Sequence, residues 1–160
     1  MQHKAGFVNI IGNPNVGKST LMNALMGEKL SIITHKAQTT RYRILGILNE
    51  DDYQIVFSDT PGIIKPAYKL QESMMNFVHS AFQDADVLIY IVEMGEKALK
   101  DESFFEKIKN TEIPLLLLIN KIDLSEQGEV ENQINNWKEQ VPNAEILPIS
   151  ALNKFNIDKI

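Results

Sequence analysis

Apolar residues along the chain form short, nearly continuous runs that predict buried strands. The run Phe7–Ile11 predicts a buried strand, and two later runs, Val87–Val92 and Leu115–Ile119, are typical of central strands covered on both faces. The shorter run AEILPIS predicts a last strand. An antiparallel hairpin is predicted where the turn-like cluster NEDD separates RILGIL from YQIVFS.

Segments with features of helices lie between most of these predicted strands. Ser19–Met26 is rich in helix formers and stops at Gly27, which favours a helix C-cap. Apolar positions recur at helical spacing in Leu70–Asp84 and again in Val130–Val141. Between these two segments, DESFFEKIKN has an acidic start and a basic end, which suits the helix dipole. Asn156 is a candidate cap for a further helix that makes one turn before the sequence ends.

The predicted order β–α–ββ–α–β–α–β–α–β–(α) indicates the fold class. Alternating elements with one inserted hairpin are typical of an α/β, three-layer sandwich. We expect a mostly parallel six-stranded sheet with one antiparallel strand and helices on both faces. Residues 1–160 are expected to form one domain, because no linker, repeat or low-complexity tract interrupts them. Ligands of such sheets bind at the C-terminal ends of the strands.

Composition narrows the class of protein without identifying it. Hydrophobic residues make up 44% and charged residues 23%, near the average of soluble globular proteins. The net charge of −5 argues against a broad basic surface for nucleic acid. The absence of cysteine fits a reducing cytoplasm. No apolar run approaches the roughly 18 residues that span a bilayer, and no signal-peptide pattern precedes the first strand.

The segment GNPNVGKS follows the first predicted strand, opens the first predicted helix and matches G-x-x-x-x-G-K-[ST]. In such a loop the backbone N–H groups and the helix N-terminus cradle phosphate. Lys18 is expected to reach the β- and γ-phosphates, and Ser19 to offer its hydroxyl to Mg²⁺. The predicted phosphate-binding residues are Gly12, Asn13, Pro14, Asn15, Val16, Gly17, Lys18, Ser19 and Thr20.

A second motif, DTPG, follows the second strand of the hairpin. Asp59 is expected to hold Mg²⁺ through a water, and the Gly62 N–H to meet the γ-phosphate. Alone, this pattern would be only a good turn, but its place after the phosphate loop favours a functional interpretation. Ile63 lies where a water-orienting side chain is expected, although it cannot form a side-chain hydrogen bond. The candidate nucleotide-binding residues are Asp59, Thr60, Pro61, Gly62 and Ile63.

Two loops after the last strands predict which base is bound. Asp123 of the motif NKID can accept hydrogen bonds from N1–H and the amine of guanine, whereas adenine would leave the carboxylate unpaired. Lys121 has a stem long enough to cover the base, and Asn120 can tie this loop to the phosphate loop. Small residues in the next loop allow a backbone N–H to reach guanine O6, at Ser150, Ala151 and Leu152.

The polar, basic stretch SIITHKAQTTRYR shows neither helical nor strand periodicity and is predicted to be a loop. A loop that senses the γ-phosphate needs one hydroxyl on Mg²⁺, and of the adjacent Thr39 and Thr40 we favour Thr40. The alternative is that both threonines begin the next strand. Arg41 and Arg43 are either solvated loop charges or groups that face RNA, and the sequence does not decide between them.

Taken together, GNPNVGKSTLMNALMGEKLSI, KAQTTRYRILGI, DTPGI, NKID and SAL resemble the Era family, in the TrmE–Era-like class of translation-factor-related P-loop GTPases. The resemblance covers essentially the whole chain, and KAQTTR joined to DTPGI is its most specific part. It implies GTP hydrolysis with Mg²⁺ and a role in maturation of the small ribosomal subunit. It also implies a cytoplasmic protein with peripheral association at the inner membrane, and we expect a monomer.

In one respect this sequence departs from what such a resemblance suggests. Era-family proteins carry a C-terminal KH-type RNA-binding domain, whereas the sequence given ends at Ile160, so contact with 16S rRNA is expected to lie outside it. Ile63 replaces the glutamine of Ras-type GTPases. Relatives share such a hydrophobic residue, and some use K⁺ where others use an arginine finger. Asn15 matches the asparagine that ligates K⁺ in those relatives. The alternative is a structural asparagine in a tight turn.

The predicted mechanism is a slow molecular switch in which Lys18, Thr40 and Gly62 are the catalytic groups, acting by positioning and electrostatics. Three alternatives remain open at this point. A nucleotide kinase would share the phosphate loop but leave NKID and DTPG unexplained. A GTP-binding module with negligible hydrolysis would have the same pockets. A related GTPase could act in tRNA modification or at another step of ribosome assembly.

Overall fold

A computed structural model describes residues 2–27, 40–99 and 101–160 of the chain. Its strands are β1 (Lys4–Ile11), β2 (Ile44–Asn49), β3 (Tyr53–Asp59), β4 (Val87–Glu93), β5 (Leu115–Asn120) and β6 (Ala144–Pro148). Its α-helices are α1 (Lys18–Met26), α2 (Lys69–Gln83), α3 (Glu102–Lys109) and α4 (Gln127–Gln140). Two short 3₁₀ turns follow β5 and β6, at Ile122–Leu124 and Ile157–Lys159.

The strands form one six-stranded sheet in the order β2-β3-β1-β4-β5-β6. Every neighbouring pair is parallel except β2 and β3, which form the antiparallel hairpin. The predicted fold class is therefore confirmed. Because β1 lies between β3 and β4, the loops that follow these three strands meet at one edge of the sheet.

The near-continuous apolar runs are explained by the two layers that cover the sheet. In β4, Leu88 and Tyr90 pack into a core beneath α2, α3 and α4, while Ile89 and Ile91 pack into a second core beneath α1. Alternate residues of one strand thus enter opposite cores, and both sets must be apolar. Trp137 of α4 is fully buried in the first core, as its helical spacing predicts.

The ends of the helices follow their capping chemistry. The Asp101 side chain accepts from the Phe104 N–H at the start of α3 (3.1 Å), and Glu126 with Glu129 forms a capping box at the start of α4. That box explains why α4 begins at Gln127, three residues before the apolar stripe predicted. Within the described ranges, no helix is both long and apolar enough to cross a bilayer.

The segment after β6 differs from the prediction at Asn156. This residue adopts a left-handed conformation (φ 60°) and precedes a 3₁₀ turn rather than an α-helix. Its side-chain amide donates to the Pro148 carbonyl (2.9 Å), and no side-chain cap bond forms. The predicted loop SIITHKAQTTRYR lies partly outside the described residues, because the structure is not described for 28–39.

Candidate nucleotide-binding site

The phosphate-loop motif lies between the end of β1 and the start of α1. Gly17 has a left-handed backbone (φ 105°), and a Cβ there would come within 2.2 Å of the Asn120 amide nitrogen. Asn15 also has a positive φ, of 63°. Only glycine fits at position 17, and the loop takes the curled backbone that cradles phosphate in related loops.

Lys18 extends along the inside of this loop. Its ammonium donates to the Asn13 carbonyl (2.7 Å), and the residue is buried. Burial lowers the pKa of Lys18 to about 8, and the nearby carboxylates of Asp59 and Glu96 partly offset this effect. The ammonium form therefore still predominates at neutral pH, beside the space that the loop encloses.

Three oxygen-bearing side chains from different elements converge next to Lys18. The Ser19 hydroxyl donates to Asp59 Oδ2 (2.7 Å) and lies 3.1 Å from the Thr40 hydroxyl. Asp59 and Thr40 are buried. Two hydroxyls and one carboxylate are ligands that Mg²⁺ prefers, with phosphate oxygens supplying further ligands. This set fits Mg²⁺. Across the described residues there is no cluster of three or more His, Cys, Asp or Glu that could hold a metal without phosphate.

The loop after β3 packs directly on the phosphate loop. The Ile63 N–H donates to the Gly12 carbonyl (2.9 Å), and the Thr60 hydroxyl donates to the Ile10 carbonyl (2.7 Å). A Cβ on Gly62 would lie 2.7 Å from the Pro14 Cα. The close approach therefore requires glycine at this position and holds DTPG against the predicted γ-phosphate position.

The Ile63 side chain is fully buried and belongs to the core beneath α2. Its contribution to the loop is its backbone N–H. The sequence interpretation placed Ile63 at the position of a water-orienting group, and the structure gives the physical reason for an apolar residue there. A signal was present in the apolar pair Ile63 and Ile64, both of which pack on that core.

Replacing Ile63 with glutamine is expected to lower the free energy of unfolding by about 2–4 kcal/mol, because an amide would enter an apolar core. It is not expected to accelerate phosphate release from GTP, because the side chain faces away from the phosphate loop. Denaturant unfolding and single-turnover phosphate release measure the two effects, with Ile63→Val as the matched control. A stable, faster Ile63→Gln variant would contradict this placement.

The loop after β5 joins the phosphate loop to the loop after β6. The Asn120 side-chain Nδ2 donates to the Val16 carbonyl (2.8 Å), and its Oδ1 accepts from the Ala151 N–H (2.9 Å). The Ser150 hydroxyl donates to Asp123 Oδ1 (2.8 Å), which orients the exposed carboxylate. Ala151 is buried, whereas the Leu152 side chain is exposed.

Lys121 follows Asn120 and has a left-handed backbone (φ 65°). Its ammonium donates to the Asn15 carbonyl (2.7 Å) and pairs with the Glu93 carboxylate at the end of β4. Of the functional candidates, Glu93 and its neighbour Glu96 were missed by the sequence interpretation. They belong to no motif, and only the fold brings them to the phosphate loop.

Arg43, left undecided by the sequence, is held inside the protein. Its guanidinium donates to both carboxylate oxygens of Asp84 (2.5 and 2.9 Å) and to the Asn9 side chain (3.1 Å). This pairing lowers the pKa of Asp84. Arg43 therefore anchors the segment that follows Thr40 to the end of α2, and its side chain is largely buried.

The sheet order, the phosphate loop after β1, the oxygen cluster beside it and the base-type loop after β5 together define the class of P-loop GTPases. Comparison with known proteins agrees with this class. Residues 7–121 match the model of the family described as 50S ribosome-binding GTPase, and the chain belongs to that family.

Sequence relatives confirm the resemblance to the Era family. The chain is similar to GTPase Era of Clostridium botulinum (strain Hall), with 47% identity over 156 residues, covering 97% of this chain and 53% of that protein. It is also similar to GTPase Era of Clostridium kluyveri, with 45% identity, covering 98% of this chain and 54% of that protein. The chain thus spans about half the length of the curated relatives it matches.

Solved structures are similar over the same part. A crystal structure of Era in complex with MgGDPNP and nucleotides 1506–1542 of 16S ribosomal RNA has a TM-score of 0.91 and 41% identity, covering 99% of this chain and 55% of that one. A variant of Aquifex aeolicus Era bound to GDP and AlF₄⁻ has a TM-score of 0.87 and 39% identity, covering 98% and 54% of the two chains.

Proposed function

We propose that this chain binds GTP with Mg²⁺ and hydrolyses it to GDP and phosphate as a molecular switch. One observation carries the proposal: the Asn120 side chain bonds to the phosphate loop at Val16 and to the third loop at Ala151. A phosphate loop and a guanine-type loop are thereby fixed as parts of one site. Similarity to Era bound to MgGDPNP supports the same ligand.

The chain's own groups would act on GTP mainly by position and charge. The Lys18 ammonium would exchange the Asn13 carbonyl for phosphate oxygens, and the Gly62 N–H would meet the γ-phosphate. Ser19, Thr40 and Asp59 would hold Mg²⁺, which supplies charge neutralisation when bound.

Since the Ile63 side chain lies in the core, the attacking water is left to backbone groups, a cation or a partner. We propose K⁺ as that cation, with Asn15 as a ligand, because this exposed residue lies in the phosphate loop at the position that the resemblance assigns to K⁺. Single-turnover phosphate release from GTP should be faster in K⁺ than in Na⁺ at equal ionic strength. An Asn15→Ala variant should lose the difference, and equal rates in the wild type would remove the role of K⁺.

The same assay separates the alternative functions. Phosphate release from GTP supports hydrolysis, and bound GTP that stays intact would indicate a binding module. Transfer of the phosphoryl group to an added nucleoside monophosphate would indicate a kinase. The pairing of Asn120 with both neighbouring loops argues against a kinase, because a kinase has no need of a guanine-type loop there.

We further propose that the protein acts with the small ribosomal subunit and its 16S rRNA. The support is its similarity to Era, including an Era crystallised with part of that RNA. RNA contact would lie in a KH domain outside 1–160, as the family resemblance implies. A related role in tRNA modification or another assembly step is the alternative. The test uses a protein in which residues 1–160 are joined to such a KH domain. Faster GTP hydrolysis by that protein with small-subunit RNA than with tRNA would support the first role.

We also propose a cytoplasmic, monomeric protein with peripheral association at the inner membrane. The resemblance to the Era family is the support for all three. Fractionation of cells and sedimentation of the purified chain test them separately. A protein found only in the integral membrane fraction, or sedimenting as a stable dimer, would contradict them.

A further inference from the structure

The phosphate loop is held from outside by a carboxylate that belongs to none of its motifs. Glu96 lies in the loop between β4 and α3, and its Oε1 accepts from the Asn13 side-chain amide (2.6 Å). The same amide also donates to the Ala98 carbonyl (3.1 Å). Asn13 is buried, and Glu96 is partly buried. The second residue of the phosphate loop is thus bound to a loop 83 positions away.

Glu96 is itself fixed from two further sides. Its Oε2 accepts from the Glu93 N–H at the end of β4 (3.1 Å), and its carbonyl accepts from the Gln133 amide of α4 (2.7 Å). Each carboxylate oxygen therefore has a defined donor. A side chain held in this way has a single orientation, and it transmits that orientation to Asn13.

Asn13 connects this arrangement to the phosphate-binding group. Its backbone carbonyl accepts from the Lys18 ammonium (2.7 Å), and its side-chain amide donates to Glu96. One residue therefore contacts both groups. If Asn13 rotates, the backbone against which Lys18 is placed moves with it. Small displacements of a binding group are costly for phosphate recognition.

We propose that Glu96 is a positioning residue of the nucleotide site, acting through Asn13 on the phosphate loop and Lys18. This inference rests on the proposed function, because it assigns a role within the same site. The Glu96 carboxylate accepts from the Asn13 amide and the Glu93 N–H. Its action is to hold Asn13.

The charge around Glu96 gives this role a distinctive pH dependence. Burial raises the pKa of Glu96 to about 7, and the Glu93 carboxylate adds to the shift, whereas the Asn13 amide and the Lys18 ammonium oppose it. Glu93 is paired with Lys121, and α4 presents the neutral Gln133. Bound phosphates would disfavour the ionised carboxylate further. Nucleotide affinity should therefore fall as the pH rises from 6 to 7.5.

The test is calorimetric titration of GDP with Mg²⁺ into wild type, Glu96→Ala, Glu96→Gln and the exposed control Lys97→Ala, at several pH values. Glu96→Ala removes both acceptors and should weaken binding about tenfold at pH 7, since the hydrogen bond that holds Asn13 is lost. Glu96→Gln keeps one acceptor and should lose no more than about threefold. Lys97→Ala should bind as wild type.

The pH profile distinguishes positioning from simple loss of structure. In Glu96→Gln the fall in affinity between pH 6 and 7.5 should vanish, because the glutamine side chain does not titrate. Wild-type affinity in Glu96→Ala, or an unchanged profile in Glu96→Gln, would overturn the inference. Failure of the wild type to bind GDP would instead overturn the proposed function, so the two failures are distinguishable.

Discussion

Replacing Asp123 with asparagine is expected to weaken GDP binding by a factor on the order of a hundred or more. The carboxylate can accept from both N1–H and the amine of guanine, whereas the asparagine amide would set a donor against the amine. The variant should keep the Ser150 hydrogen bond (2.8 Å), because its carbonyl oxygen can still accept. The substitution therefore tests the base contact rather than the shape of the loop.

The same variant should gain affinity for xanthosine diphosphate. Xanthine carries an oxygen where guanine carries the amine, and the asparagine amide can donate to it. Competition between the two nucleotides, followed by calorimetry, measures both changes. The matched control is Asp158→Asn, at an exposed aspartate of the last 3₁₀ turn. Unchanged selectivity in Asp123→Asn would show that this carboxylate does not face the base.

Replacing Lys18 with methionine is expected to slow GTP hydrolysis by a factor on the order of a thousand, since the buried ammonium is the group placed to stabilise charge on the phosphates. The nucleotide-free protein should nevertheless unfold at the same temperature or higher. Burial lowers the pKa of Lys18 to about 8, so holding its charge inside the fold costs free energy that methionine would not.

The sign of this effect is also testable by pH. Because the folded pKa of Lys18 lies below its ordinary value of 10.5, the unfolded chain binds more protons between about pH 8 and 10.5. The contribution of Lys18 to stability therefore rises with pH in that window. Thermal unfolding of Lys18→Met should lack this rise, and the exposed control Lys138→Met should keep it. A large loss of stability in Lys18→Met at pH 7 would contradict the account.

Local patterns were sufficient for most of the fold. The apolar runs in β4 and β5 predicted strands because alternate residues enter two cores, and the alternation of strands with helices predicted the mostly parallel sheet. The motifs were predicted to follow strands directly, and the structure places them at the ends of β1, β3, β5 and β6. The predicted roles of the site residues toward nucleotide and metal stay predictions.

Contacts between distant segments could not be predicted from these patterns. Arg43 and Asp84 lie 41 positions apart, and Asn13 and Glu96 lie 83 positions apart. Each pair forms because the strand order brings the two segments together. Neither Asp84 nor Glu96 belongs to a sequence motif that would indicate its partner. The place of Ile63 in the core was also not predictable. The sequence indicated only that its side chain cannot orient water, and the structure adds that the turn after β3 directs it into the core.

Guanine specificity is tested directly by a calorimetric comparison of GDP and ADP binding to the wild-type chain in Mg²⁺. We expect one site per chain, with GDP bound tighter than ADP by a factor on the order of a thousand or more. The selectivity would come from the Asp123 carboxylate, which accepts a hydrogen bond from the Ser150 hydroxyl. Asn120 of the same motif is hydrogen-bonded to the phosphate loop. Equal affinity for the two nucleotides, or no binding of GDP, would contradict the account.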